Sequence, residues 1–263
     1  MAVLFVYVGL LGLIVGSFAN VMIYRVPIGE SVVSPASHCP SCGHPIRHRH
    51  NVPVLGWLAL KGRCADCGAR ISARYPLVEL AMGFLFVATT LRLDAIGRLP
   101  ALPAYLYFVA IGVILALIDL DHRRLPNAIV LPSYPVLLVL LTIASAWQSD
   151  WESLARSVLG AACLYAFYLV VAMAYRAGMG FGDVKLSGLL GGVLAYVSWG
   201  TLLVGAFAGF FLGGVAGVAV IASRRGSLKT ALPFGPFMIA GAMVAVFCGD
   251  ALASGYLQLT MCS

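Results

Sequence analysis

Long apolar runs separated by short polar segments organise this chain. A helix that crosses a bilayer needs about 20 mostly apolar residues, and eight runs approach that length. They cover residues 2–24, 76–91, 104–119, 128–147, 154–175, 184–197, 201–223 and 237–253. Because lipid cannot hydrogen-bond to free backbone groups, such segments are helical. The pattern therefore predicts an all-α polytopic membrane protein with about eight transmembrane helices.

The composition agrees with this interpretation. The chain is 61% hydrophobic and only 10% charged, whereas about 25% of the residues of a soluble protein are charged. Its formal net charge of +7 would suit nucleic-acid binding, but the basic residues cluster in short segments between the apolar runs. That distribution is the positive-inside pattern of membrane proteins. We therefore expect lipid, and no nucleic acid, as a partner.

The distribution of Lys and Arg also predicts an orientation. With eight spans, segments 25–75, 120–127, 176–183 and 224–236 share one side, and 14 of the 17 Lys and Arg lie in or beside them. That side is predicted to be cytoplasmic, with both termini outside. The predicted organisation is a first transmembrane helix (1–24), a cytoplasmic loop (25–75), a transmembrane helical bundle (76–253) and an external C-terminal tail (254–263).

The cytoplasmic loop contains a metal-binding pattern. Cys39 and Cys42, and then Cys64 and Cys67, form two CxxC pairs with 21 residues between them. Four thiolates complete a closed tetrahedral site for structural Zn²⁺, so a zinc-ribbon-like insertion can fold with little core of its own. The histidines of the loop are alternative ligands. Two disulfides are the other alternative, but they require an oxidising compartment.

Ionisable residues in or at the edge of a membrane helix cost several kcal/mol unless they are paired, so they indicate functional sites. Five such residues are present: Glu79, Asp119, Asp121, Asp183 and Lys185. Asp119 ends the third apolar run and Asp183 precedes the sixth, at the same predicted membrane edge. In a close pair of carboxylates, one can activate water as a general base while the protonated other polarises a carbonyl. Asp121 is the second candidate for the Asp119 role.

The residues around Asp183 leave several possibilities open. Gly178, Gly180 and Gly182 remove side chains, so an extended substrate backbone can approach. Asp183 can instead serve only to complement the dipole of its helix, and Lys185 can pair with it or reach phosphate headgroups. A proton- or ion-coupled transporter using the same acids is the alternative function, although transporters place their sites near the midplane.

A stripe of small residues predicts close helix packing in the seventh run. Gly205, Gly209, Gly213 and Gly217 recur every four residues, a spacing that lets two helix backbones approach. A non-enzymatic assembly protein would also have such a stripe and a basic loop.

Ordered motifs along the chain resemble one family, the type IV prepilin peptidases of the GxGD aspartic protease class. The matching segments are GSFANVMIYRVP (16–27), the two CxxC pairs, NVPVLGWL (51–58), RYPLVE (74–79), IDLD (118–121), LP (125–126), GMGFGDVK (178–185) and PFGPF (233–237). Two positions depart from the family pattern. His50 stands where Asp is common, and Asn127 replaces another Asp but can still cap the next helix.

The resemblance implies two activities at the cytoplasmic face of the bacterial inner membrane. The first is removal of the basic leader from prepilins and type II secretion pseudopilins, with cleavage after a glycine. The second is methylation of the new N-terminal amine with S-adenosylmethionine. Asp119 and Asp183 match the family's catalytic aspartates. Glu79 is a candidate for binding the amine during methyl transfer, or for anchoring Arg74 or the loop backbone.

Overall fold

The computed structural model describes residues 1–174, 179–223 and 232–261, and within them the chain is helical without strands. The helices are α1 (Ala2–Arg25), α2 (Leu55–Ala59), α3 (Arg74–Ala95), α4 (Leu102–His122), α5 (Asn127–Gln148), α6 (Trp151–Ala174), α7 (Phe181–Val197), α8 (Trp199–Ala222) and α9 (Gly235–Met261). Short 3₁₀ turns cover Val26–Ile28, His48–His50 and Leu99–Ala101. Gly178 and parts of the predicted segments 176–183 and 224–236 lie outside the described residues.

The predicted all-α membrane fold is confirmed. In the described part of the chain, seven helices (α1, α3, α4, α5, α6, α8 and α9) are long and apolar enough to cross a membrane. The predicted run 184–197 forms the shorter helix α7, which has 17 residues, most of them buried. Because most residues of α7 are buried within the protein, this helix is packed among its neighbours and not against lipid.

The chain divides into two compact units, Met1–Ala95 and Ile96–Ser263. In the first unit, α1 and α3 meet at glycines. A Cβ on Gly12 would lie 2.7 Å from the Cα of Gly83, and one on Gly16 would lie 2.7 Å from the Cα of Glu79. These helices therefore touch backbone to backbone, as small residues allow, and Glu79 is fixed against α1.

The segment after α1 is fastened by a buried arginine. Arg25 is only 5% exposed, and its guanidinium donates to the carbonyls of Ser31 at 3.0 Å and Pro35 at 2.8 Å. A buried charge needs such partners. Arg25 therefore ties the start of the cysteine loop to the end of α1.

In the second unit, the glycine stripe of α8 faces α9, so the predicted close packing is confirmed. A Cβ on Gly205 would lie 3.1 Å from the Cβ of Ala245, and one on Gly209 would lie 3.2 Å from the Cα of Met238. A Cβ on Gly217 would have only Cδ1 of Leu232 nearby, at 3.9 Å, so the close packing of the stripe ends before this residue.

The C-terminal end of α7 is held by an arginine. Arg156 of α6 donates from Nε to the carbonyl of Ala195 at 2.6 Å and from a terminal nitrogen to that of Tyr196 at 3.0 Å. The last carbonyls of a helix lack intrahelical hydrogen-bond donors, and Arg156 donates to two of those carbonyls in α7. This contact fixes α7 at the end away from Asp183.

The start of α6 is capped by Asp150. Its carboxylate accepts hydrogen bonds from the Ser153 amide at 3.0 Å and the Ser153 hydroxyl at 2.6 Å, and Arg98 donates to it at 3.2 Å. The Ser153 hydroxyl is the main cause that holds the pKa of Asp150 below its ordinary value. Asp150 therefore stabilises α6 in its ionised form.

Candidate functional site

Asp119 lies in the last turn of α4 and is 5% exposed. Its Oδ2 accepts a hydrogen bond from the backbone amide of Gly235 at 3.1 Å. Gly235 is the first residue of α9, so this amide is one of those that a helix start leaves unpaired. A Cβ on Gly235 would lie 2.7 Å from the same Oδ2. Only glycine therefore brings its backbone this close to the carboxylate.

Asp183 is the third residue of α7 and is 9% exposed. Its Oδ2 accepts a hydrogen bond at 3.2 Å from the amide of Gly180, the residue that caps the helix start. In return, the Asp183 amide donates to the Gly180 carbonyl at 3.1 Å. The position at a helix N-terminus suits a negative charge, as the dipole interpretation expected. The geometry also leaves Oδ1 outside this capping contact.

Leu125 packs against both Gly182, which precedes Asp183, and Gly235, which binds Asp119. A Cβ on Gly182 would lie 3.2 Å from the Cβ of Leu125, and one on Gly235 would lie 3.4 Å from its Cδ2. The charge of Asp119 also acts on Asp183. The structure thus brings together the two acids that the sequence analysis paired, each held by a glycine amide. Two buried carboxylates that interact can serve as a general acid and a general base.

The competing acid is in a different environment. Asp121 is exposed, two residues beyond the buried Asp119. A catalytic carboxylate needs partial burial to hold a proton near neutral pH, so the environment of Asp119 is the better suited of the two.

Lys185 has partners other than Asp183. Its Nζ donates to the side-chain oxygen of Asn127 at 3.0 Å and lies 5.4 Å from the centre of the Phe181 ring. The expected capping by Asn127 is wrong: Pro126 is the cap residue of α5, and no side chain caps the helix. The Asn127 side chain instead binds Lys185, which links the starts of α5 and α7.

The sequence alone predicts no role for Gly235 or Tyr134. Gly235 lies within the PFGPF motif. Tyr134 of α5 donates its hydroxyl to the carbonyl of Lys185 at 2.6 Å, and the hydroxyl lies where a side chain on Gly188 would be. A glycine in the interior of an apolar helix was the available signal for this close approach.

The four cysteines of the two CxxC pairs form one cluster. Their sulfurs all lie within 4.8 Å of one another, and Cys39 and Cys67 are 3.8 Å apart. All four are free thiols. Four sulfurs about 2.3 Å from a central Zn²⁺ are separated by about 3.8 Å in a tetrahedron, so the cluster fits the metal. The histidines are not part of it in the described residues.

The chain turns at a glycine after each CxxC pair, and the backbone around Cys39 favours its thiolate. The amides of Gly43 and Gly68 donate to the carbonyls of Cys39 and Cys64 at 2.8 and 3.0 Å, and both glycines have positive φ. Backbone hydrogen bonds, first from Cys42, lower the pKa of the Cys39 thiol to about 6. The lowered pKa prepares the Cys39 sulfur to bind a cation.

Glu79 anchors the loop backbone, which is one of the roles the sequence analysis left open. It is 8% exposed, and its Oε2 accepts a hydrogen bond from the amide of Val54 at 2.7 Å. Val54 precedes α2 and has a φ of 61°. Glu79 also lines a cavity of about 710 Å³ within the first unit, together with Asn20, Trp57 and Tyr75.

Comparison with known proteins gives matches along most of the chain. Residues 10–93 match the model of the bacterial peptidase A24 N-terminal domain, and residues 106–218 match that of the type IV leader peptidase family. The chain is similar to proteins named prepilin leader peptidase/N-methyltransferase. The Pseudomonas putida protein is 37% identical over 95% of this chain and 92% of its own length. The Bacillus subtilis protein is 33% identical over 99% of both chains. No solved structure matches the chain.

Proposed function

This chain belongs to the type IV leader peptidase family, and on that premise we propose that Asp119 and Asp183 form the catalytic pair that removes the leader of prepilins and type II secretion pseudopilins. The protein is a multi-pass inner-membrane enzyme with peptidase and methyltransferase activities. The comparisons support this function and not the transporter alternative.

The observation that carries the proposal is the matched anchoring of two buried acids. Each carboxylate uses Oδ2 to accept a glycine amide, so backbone atoms fix its position. The ionised member of the pair takes a proton from water as the water oxygen attacks the scissile carbonyl carbon. The protonated member donates to the carbonyl oxygen, and the C–N bond then breaks as the amine leaves with a proton. No covalent enzyme intermediate is needed.

Two neighbouring glycines have different roles in the proposed approach of substrate. The space beside Gly182 is filled by Leu125, 3.2 Å from the position of its missing Cβ. The missing Cβ of Gly180 instead points towards Asp183, 3.5 Å from Oδ2. Gly180 is therefore the better candidate for admitting the substrate backbone, and Gly182 packs the site. Gly178 lies outside the described residues.

We assign the cysteine loop and the acid pair to the cytoplasmic side, because the basic residues cluster there. The four cysteines hold structural Zn²⁺. S-adenosylmethionine is the methyl donor: the amine nitrogen of the cleaved product bonds to the methyl carbon as the S–C bond breaks, releasing S-adenosylhomocysteine and one proton. We further propose that Glu79 serves this second activity.

The peptidase assignment can be tested with purified protein in lipid nanodiscs and a prepilin-like substrate that has a basic leader. We expect Asp119→Asn and Asp183→Asn each to slow leader cleavage by about 10²–10⁴-fold, the usual contribution of a general acid or base. Asp121→Asn is the matched control and should cleave normally. Full cleavage by either of the first two variants would remove that residue from the mechanism. Absence of cleavage by folded wild-type protein would refute the proposed function.

A further inference from the structure

Two contacts from α5 converge on one residue at the start of α7. Tyr134 donates its hydroxyl to the carbonyl of Lys185 at 2.6 Å, and the side-chain oxygen of Asn127 accepts a hydrogen bond from the Nζ of Lys185 at 3.0 Å. Asn127 and Tyr134 are seven residues apart, which is about two turns of a helix, so they share one face of α5. Lys185 lies two residues after Asp183. The peptidase chemistry proposed above uses neither contact.

A glycine of α7 makes room for the Tyr134 hydroxyl. A Cβ on Gly188 would collide with this oxygen and would lie 3.1 Å from Cζ and 3.2 Å from Cε1 of the same ring. The hydroxyl therefore fills a notch in α7. If α7 slid by one residue, or about 1.5 Å, the hydroxyl would leave the notch and lose its acceptor, which is costly for a polar group among apolar side chains. The contact therefore selects one register of α7 against α5.

A short connection ties the start of α5 to the helix that bears the other acid. Asp119 lies in the last turn of α4, which ends at His122, and α5 begins at Asn127. Within the four residues between the two helices, Leu125 packs against the residue that precedes Asp183. The start of α5 is therefore joined to both acids, through the chain to one and through side-chain contacts to the other.

Two prolines flank Tyr134 within α5. Pro132 and Pro135 lie inside the helix, and each lacks the amide that would donate to the carbonyl four residues earlier. The backbone hydrogen bonds of α5 therefore hold its first turns less firmly than those of an ordinary helix. Side-chain contacts with α7 compensate for this loss.

We propose that Tyr134 is a positioning residue for the acid pair: its hydroxyl fixes the register of α7 against α5 and so sets the separation of Asp183 from Asp119. Asn127 acts with it by holding the side chain of Lys185. This inference rests on the proposed function and adds an element that acts through α7. Tyr134 itself takes no part in proton transfer.

Leader cleavage by Tyr134→Phe, measured with full-length protein in nanodiscs, tests the inference. The variant keeps the ring and removes only the hydroxyl. Because a displacement of reacting groups by about 1 Å can cost about 100-fold in rate, and Asn127 still holds Lys185, we expect kcat to fall by about tenfold with little change in KM. Tyr105→Phe is the matched control. The Tyr105 hydroxyl also donates to a carbonyl of α7, at 2.8 Å, but near the end that Arg156 holds, so this variant should keep the wild-type kcat.

The pH profile of kcat separates positioning from a loss of folded protein. Two interacting acids titrate in two steps that belong to the pair and depend on the separation of the carboxylates, and these steps bound the pH range of cleavage. Because such acids interact by more than about 1 pH unit, we expect at least one limb of the Tyr134→Phe profile to move by about 0.5 pH unit. A smaller folded fraction would lower kcat by the same factor at every pH and leave both limbs in place.

A second substitution tests the notch itself. Gly188→Ala should slow cleavage by wild type, because the new methyl group meets the Tyr134 hydroxyl, and should slow cleavage by the Tyr134→Phe protein by a smaller factor. An equal factor in both backgrounds would overturn the inference. So would a Tyr134→Phe variant that matches Tyr105→Phe in kcat and in both limbs of the profile.

The wild type and the variants of the two acids show which proposal has failed. If wild type cleaves and Asp119→Asn and Asp183→Asn do not, either overturning result rejects the positioning role alone. Absence of cleavage by folded wild-type protein would reject the proposed function.

Discussion

Replacing Gly235 with alanine tests whether the backbone of α9 positions Asp119, the acid of α4 that we propose to be catalytic. The new Cβ would lie 2.7 Å from Oδ2 and 3.4 Å from Cγ of Asp119, closer than Cβ atoms normally approach an oxygen. The carboxylate or the start of α9 must move. Forcing an extra methyl group into a packed site costs about 1–3 kcal/mol. About 1.4 kcal/mol of activation free energy corresponds to a tenfold change in rate. If the same cost is added to the activation free energy, cleavage slows by about 5- to 150-fold.

The assay compares initial rates of leader cleavage in nanodiscs at saturating and limiting substrate. We expect Gly235→Ala to lower kcat with little change in KM, because Asp119 acts in the transition state. Gly214→Ala is the matched control: Gly214 lies within α8, and a Cβ there would meet no heavy atom within 4 Å. Equal kcat for the Gly235→Ala and Gly214→Ala variants would refute the reasoning.

A thermal-unfolding cycle separates local displacement from general misfolding. Asp119→Ala removes the carboxylate that the new methyl group would strike. If the clash is with Asp119, Gly235→Ala destabilises the Asp119→Ala protein by less than it destabilises wild type. An equal loss in both backgrounds would show that the methyl group disturbs something else.

The remaining predictions concern other parts of the molecule. Asp150→Ala should reduce the free energy of unfolding by about 1 kcal/mol at pH 7. Since the pKa of Asp150 is lowered in the folded state, this difference should shrink as the pH falls below about 4. Glu152→Gln, at a side chain that is 89% exposed, is the control and should change thermal unfolding little at either pH. Gly180→Val should lower kcat/KM for leader cleavage, and an unchanged kcat/KM would exclude approach of substrate over this residue. Purified protein should contain about one zinc per chain, and the double variant Cys39→Ser with Cys42→Ser should lose it; elemental analysis that finds no metal in wild type would reject the zinc centre.

The sequence predicted the acids and the cysteines because each breaks a simple rule. Asp119 and Asp183 are charges at the edge of apolar runs, which lipid makes costly. The two cysteine pairs have the CxxC spacing that is typical of zinc sites. The membrane helices followed from run length in the same way. Each of these signals is local, so one sequence is enough to detect it.

The contacts that hold the site were not predictable, because they depend on how distant helices pack. The amide that binds Asp119 comes from Gly235, 116 residues later. Lys185 could not be assigned to Asn127, which is 58 residues away, while Asp183 was a nearer candidate. For Asn127, helix-capping preference favoured a local role that the tertiary contact with Lys185 replaces. The short length of α7 is tolerated because protein, and not lipid, surrounds it.

Anchoring the two acids by main-chain amides changes what a mutational scan of this site would record. A side-chain donor can be removed by many substitutions, but every residue except proline keeps its amide. Substitutions at Gly235 should therefore be limited by the added volume and not by the loss of a functional group. A scan should find that tolerance at this position falls steadily with side-chain size, from alanine onwards, whatever the polarity. At Asp119 and Asp183 the ranking should instead follow chemistry, with even the nearly isosteric asparagine inactive. The two kinds of profile would distinguish the residues that react from the backbone that holds them.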